Sequence, residues 1–161
     1  GELYTALQTG VIDAAEWVGP ENDLAFGFQQ ISKYYYYPGW HEPGSNMEFL
    51  INKDAFENLP KDLQAIVKTA ARAINQDMLD EYTTRNVSAL ETLVKEEGVE
   101  LKAFPSAVLT ELERISQQVI AEQAQQDPMM DKVYRAYHAY EQGVREYHKI
   151  SEDAYSQQRQ H

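Results

Sequence analysis

Glu16-Trp17 and His41-Glu42-Pro43-Gly44 are the residues of this chain whose types and placing could do chemistry. Glu16-Trp17 closes the apolar run Val11-Ile12-Asp13-Ala14-Ala15, and the second motif closes an aromatic stretch, so two carboxylates are predicted at the ends of two strands. Between Gly1 and Asn52 the acids are Glu2, Asp13, Glu16, Glu21, Asp23, Glu42 and Glu48, against the single base Lys33. Carboxylates that converge without basic neighbours require a cation, a proton or a further part of the protein to be tolerated.

A lone glutamate beside a turn is ordinarily a solvated surface residue. Here each one sits next to Trp, His or Pro, and the strand ends of open α/β sheets are where ligands collect. A hard cation such as Na⁺ or Ca²⁺ accepts carboxylate and carbonyl oxygens without demanding His or Cys. Zinc suits the set poorly, because His41 is the only histidine near either acid in sequence, while His138 and His148 belong to the last helix and His161 ends the chain. One glutamate could instead serve as acid and the other as base, as in a carboxylate-based, metal-dependent enzyme. No serine elbow, phosphate loop or dinucleotide fingerprint accompanies them. Trp17 and Trp40 flank the two acids and are the candidate walls of a pocket, whereas Tyr34-Tyr35-Tyr36-Tyr37 reads as a strand with alternating faces.

The elements that must position these residues fall into three segments. Residues 1–59 mix short helices and strands: helix from Glu2 to Thr9, strand from Val11 to Trp17, helix from Asn22 to Ser32, and strands from Lys33 to Pro38 and Met47 to Asn52. Residues 60–127 hold a long helix ending near Gly98, whose apolar face is Leu63, Ile66, Val67, Ala70, Ile74 and Met78. A strand from Val99 to Phe104 and a helix opening at Pro105 or Ser106 follow. Residues 128–161 form a last helix, where Val133, Tyr137, Tyr140, Val144 and Tyr147 make a seam at alternating three- and four-residue steps. Such a seam packs either on its own molecule or on a second copy, and a homodimer is expected through it. A chain that served only as a helical dimerisation module is the remaining alternative.

The chain has 161 residues, a net charge of -12 and no cysteine. The charge argues against nucleic acid, which calls for clustered Lys and Arg, and the missing cysteines exclude disulfides and thiolate chemistry. The abrupt start at Gly1-Glu2, without a methionine, a leader or a cap ahead of Leu3, leads us to expect a chain cut from a longer precursor.

The stretch Leu7-Gln8-Thr9-Gly10-Val11-Ile12-Asp13-Ala14-Ala15-Glu16-Trp17 resembles the L-x-x-G-x-I-D signature of the solute-binding proteins of tripartite ATP-independent periplasmic (TRAP) transporters. Tyr35 to Gly44 is similar to the branch of that family that binds 2-oxo acids, also described as mannitol/chloroaromatic-compound binding, and Asn52-Lys53-Asp54-Ala55-Phe56-Glu57-Asn58-Leu59-Pro60 to the family's turn into its long helix. The resemblance covers the chain in order and corresponds to the C-terminal half of such a protein. It implies an α/β fold, part of a two-lobed periplasmic binding protein, and a transport rather than an enzymatic role. It also implies a periplasmic protein that captures a small 2-oxo or 2-hydroxy carboxylate through Na⁺ or Ca²⁺ and passes it to membrane subunits. By motif, Glu16 and Glu42 would ligate the cation with their side chains. Trp17 would ligate it through its carbonyl while its indole lines the pocket. A clamping arginine would come from the first lobe.

Overall fold

The computed structural model describes residues 1–44 and 47–159. The chain forms two compact units, one of residues 1–104 and one from residue 105 onward. The expected segment ends near 60 and 128 fall at the starts of helices.

In the first unit the chain opens with α1 (Leu3–Gln8), then an irregular stretch, then α2 (Pro20–Phe26) and a 3-10 turn (Phe28–Gln30). Proline at the first helical position and Glu21 and Asp23 in the first turn suit the start of α2. Gly27 ends it in the left-handed region at φ 82°, where a side chain would be strained, so the expected helix from Asn22 to Ser32 is broken in two. β1 (Tyr34–Tyr37) then pairs in parallel with β2 (Glu100–Ala103), Tyr35 opposite Leu101. The crossover between them holds α3 (Lys53–Glu57), capped by the Asn52 side chain, and α4 (Lys61–Lys95). α4 is about 50 Å long. It stops where Gly98 turns the chain at φ 70° and the Val99 N–H returns to the Leu93 carbonyl at 2.9 Å.

Two expected strands are not strands. Residues 11–17 are irregular, with Val11 78% exposed, and so are the described residues of the 47–52 segment, with Leu50 84% exposed. An apolar run becomes a strand only when another strand satisfies its backbone, and among the described residues the sheet has only β1 and β2. Among the described residues the buried apolar ones of the first unit are Ala89, Leu93 and Val99, at the α4–β2 junction. The apolar face expected on α4 is therefore open along much of its length, with Ile66 and Ile74 exposed.

The second unit is helical: α5 (Ser106–Gln126), α6 (Pro128–Ile150) and α7 (Glu152–Gln158). The Asp127 side chain caps α6 by accepting the Met129 and Met130 N–H groups, a cap that stabilises by about 1 kcal/mol. α6 packs on α5, with Tyr134, Glu141, Val144 and His148 half-buried. Val133, Tyr137, Tyr140 and Tyr147 stay exposed on another stripe, so only Val144 of the five seam residues is drawn toward its own unit. Among the described residues no helix is long and apolar enough to cross a membrane.

Candidate functional site

Glu16 lies at the end of the irregular stretch after α1, and His41-Glu42 lies beyond the end of β1, past Pro38-Gly39-Trp40. The structure brings them together across 26 positions of sequence: one ligand atom each from Glu16, His41 and Glu42 lie within 4.8 Å of one another, and all three residues are exposed. Two oxygens bound to one Ca²⁺ or Na⁺ at about 2.3 to 2.6 Å can stand up to about 5 Å apart, so the separation fits a shared hard cation. His41 Nε2 is 3.8 Å from Glu16 Oε2, an ion-pair distance when the ring is protonated. The sequence pattern had put His41 beside the acids only to set zinc aside. Its neighbour position to Glu42, in a chain turn that points both toward Glu16, was the signal that it belongs to the cluster.

Each carboxylate has an aromatic neighbour held in place by different means. The Trp17 ring packs on Phe26 at the end of α2 (centroids 5.0 Å apart) and meets Phe28 edge-on at 6.4 Å, with Phe26 and Phe28 stacked on each other. Trp40 packs on the His41 imidazole at 4.9 Å. Both indoles are close to half exposed, Trp17 43% and Trp40 44%, so each keeps apolar surface open to solvent.

Three supporting residues were not legible as such. Gly39 approaches the Glu42 backbone so closely that a Cβ there would lie 3.0 Å from the Glu42 carbonyl oxygen. The adjoining Pro38-Gly39 pair signalled a turn, but not this contact. Asp23, counted in the sequence as one more surface acid, is buried and accepts a hydrogen bond from the Tyr35 hydroxyl at 2.5 Å. Burial pushes the Asp23 carboxyl above its usual range, and the hydrogen bonds from Tyr35 and from the Val18 and Gly19 backbone partly offset that. Burial, with the adjacent Asp23, pushes the Tyr35 phenol up as well.

Two exposed carboxylates and an imidazole thus converge on a short-stranded α/β unit, in segments that also carry two half-exposed indoles. The chain belongs to the bacterial extracellular solute-binding protein family 7 (DctP), whose profile matches residues 1–127. The family is one of transport solute-binding proteins that act outside the cytoplasm. The chain is 37% identical over 155 residues to the monocarboxylate 2-oxoacid-binding periplasmic protein of a Nostoc strain, a match covering 96% of this chain and 42% of that protein. It is also similar to a TRAP periplasmic solute-binding protein from Colwellia psychrerythraea, solved with bound calcium and pyruvate (37% identity, TM-score 0.91, 98% of this chain and 48% of that one). A third similarity is to a TRAP periplasmic solute-binding protein from Pseudoalteromonas atlantica T6c, solved with bound sodium and pyruvate (36% identity, TM-score 0.90, 98% and 48%). The fold is that of part of such a protein, and the chain spans about half the length of these relatives.

Proposed function

We propose that this chain supplies one half of the ligand site of a TRAP solute receptor in the periplasm, which captures a small 2-oxo or 2-hydroxy carboxylate through Na⁺ or Ca²⁺ and delivers it to the transporter's membrane subunits. The observation that carries the reading is the meeting of Glu16, His41 and Glu42 within 4.8 Å. Glu16 and Glu42 hold the cation with their carboxylates, and the Trp17 carbonyl, one residue along, is the proposed third donor. When bound, the cation offsets their repulsion and offers a site to the ligand's carboxylate and oxo oxygens. Trp17 and Trp40 shape the walls and shield that contact from water. The segment up to Asn52 has no arginine, which supports a guanidinium partner for the ligand's carboxylate supplied by the first lobe. The open face of α4 is consistent with cover by that other part.

The exposed stripe on α6 supports a homodimer. Val133, Tyr137, Tyr140 and Tyr147 would each contribute roughly 1.5 to 3 kcal/mol if fully buried by a second copy.

Calorimetry of the full-length protein against pyruvate and other small carboxylates tests the function. Binding should require Ca²⁺ or Na⁺ and vanish with a chelator in choline buffer, with no turnover of the ligand. Cation-independent binding, or conversion of the carboxylate to product, would overturn the reading.

A further inference from the structure

Asp23 is the buried ionisable residue that the proposed function leaves unused, at 8% exposure on α2. Its carboxylate lies where three parts of the first unit meet. Oδ2 accepts the Tyr35 hydroxyl of β1 at 2.5 Å, and Oδ1 accepts the Val18 N–H at 3.5 Å, two residues beyond Glu16. α2 itself is tied to α4, where the Asn86 side-chain oxygen accepts the Glu21 N–H at 3.0 Å and Arg85 pairs with the Glu21 carboxylate at 3.4 Å.

These contacts matter because of what is missing between the two segments they join. Among the described residues no direct hydrogen bond runs from residues 11–19 to residues 33–44. Among the described residues the one ion-pair contact between them is His41–Glu16 at 3.8 Å, which with Glu42 is part of the site itself. Glu16 therefore sits on a stretch without secondary structure, and Glu42 on a turn seven positions after Tyr35. The Asp23 carboxylate, by accepting from both segments, bridges one to the other. A cation held at about 2.3 to 2.6 Å tolerates little slack in its ligands.

We propose that Asp23 and Tyr35 are positioning residues: by fastening the Glu16-Trp17-Val18 segment and β1 to one buried carboxylate, they set the spacing at which Glu16 and Glu42 can share a cation. The inference rests on the cation reading above and deepens it. Neither residue touches the ion. Their effect is on how many protein oxygens reach it together.

The test uses Tb³⁺ as a calcium-sized luminescent probe of the full-length protein, excited through the neighbouring tryptophans. Tyr35→Phe removes one hydroxyl and keeps the ring. It should weaken Tb³⁺ about tenfold, the lower end of the cost of an outer-shell group, and shorten the emission lifetime at saturating Tb³⁺ as water replaces a carboxylate. Asp23→Asn should act in the same direction, and the double variant should lose little more than Asp23→Asn alone, since both break one link. A role confined to stability would lower the melting temperature and leave the lifetime at saturation unchanged. Glu42→Gln serves as the reference. If Glu42→Gln loses Tb³⁺ while Tyr35→Phe keeps wild-type affinity and lifetime, the positioning role is overturned and the cation reading stands. If Glu42→Gln itself binds Tb³⁺ like the wild type, the cation reading fails and this inference with it. Should Asp23→Asn not fold, the Tyr35→Phe result decides.

Discussion

The helices of the second unit and the surroundings of Glu16 and Glu42 in the first are held together differently. Along α5 and α6 the charged contacts are local: Arg114 with Glu111, Arg135 with Asp131, Arg145 with Glu141 and Lys149 with Glu146, each three or four residues apart on an exposed surface. Pairs of this kind add little and are screened by salt. Around Glu16 and Glu42 the ties are long-range. Asp23 reaches Tyr35 across 12 positions, Asn86 reaches Glu21 across 65, and β1 pairs with a strand beyond the whole of α4. A helix built from neighbours in sequence tolerates the loss of any one contact. A site assembled from distant pieces does not, so changes in the first unit should appear in ligand binding and changes in the second in assembly.

The largest effect should come from the acids. Glu16→Gln or Glu42→Gln should weaken cation-dependent carboxylate binding by more than about a hundredfold, beyond the cost of an outer-shell change. The melting temperature without ligand should hold or rise, because a repelling pair is relieved. Both are read from calorimetry and a thermal scan of the same sample. A smaller loss, about tenfold, is expected from Gly39→Ala, since its new methyl group presses on the Glu42 carbonyl oxygen at 3.0 Å and shifts the Glu42 backbone, and the carboxylate with it, without altering its charge.

The helical unit should behave differently. Tyr140→Glu with Tyr147→Glu places charge on the exposed stripe and should turn a dimer into a monomer in sedimentation while cation affinity stays within about twofold, as expected for sites that share no partners. Loss of ligand binding in that variant would break the contrast between the units.

The smallest effect concerns the strand pair. Glu100 accepts from Lys102 and Lys33, both at 2.8 Å, and these two ammonium groups pull its carboxyl from the usual 4.5 to about 2. A carboxyl lowered on folding contributes stability that is complete above the ordinary value and lost as the pH falls through the lowered one. Glu100→Gln should thus flatten the melting temperature's dependence on pH between about 4.5 and 2 and be nearly silent in high salt, where the wild-type pair is screened as well.

Legibility in the sequence followed the same division. The helices could be read because their signals are local: Gly98 turns the chain just past the end of α4, Asp127-Pro128 opens α6, and periodic apolar positions mark the helices themselves. The Tyr34–Tyr37 strand and the strand before Phe104 were also legible, as β-rich runs bounded by turns. Residues 11–17 carry an equally apolar pattern yet form no strand, since pairing depends on a neighbour that the pattern cannot name. At the site, the shortage of bases led us to expect a cation, a proton or a further part of the protein at Glu16 and Glu42, and the family resemblance turned that expectation toward a cation. What no local pattern disclosed was Asp23, because the burial of an acid depends on what folds over it. The α6 seam shows the limit from the other side. Its spacing was visible, but the face turned to α5 is offset from it and takes in only Val144.

The central claim is that Glu16 and Glu42 share one cation, and the anomalous scattering of a calcium-soaked crystal of the full-length protein tests it most directly. The account predicts a single strong peak with carboxylate oxygens of both residues about 2.3 to 2.6 Å away, lost in Glu42→Gln. A calcium peak elsewhere in the molecule, with none between these two side chains, would contradict it.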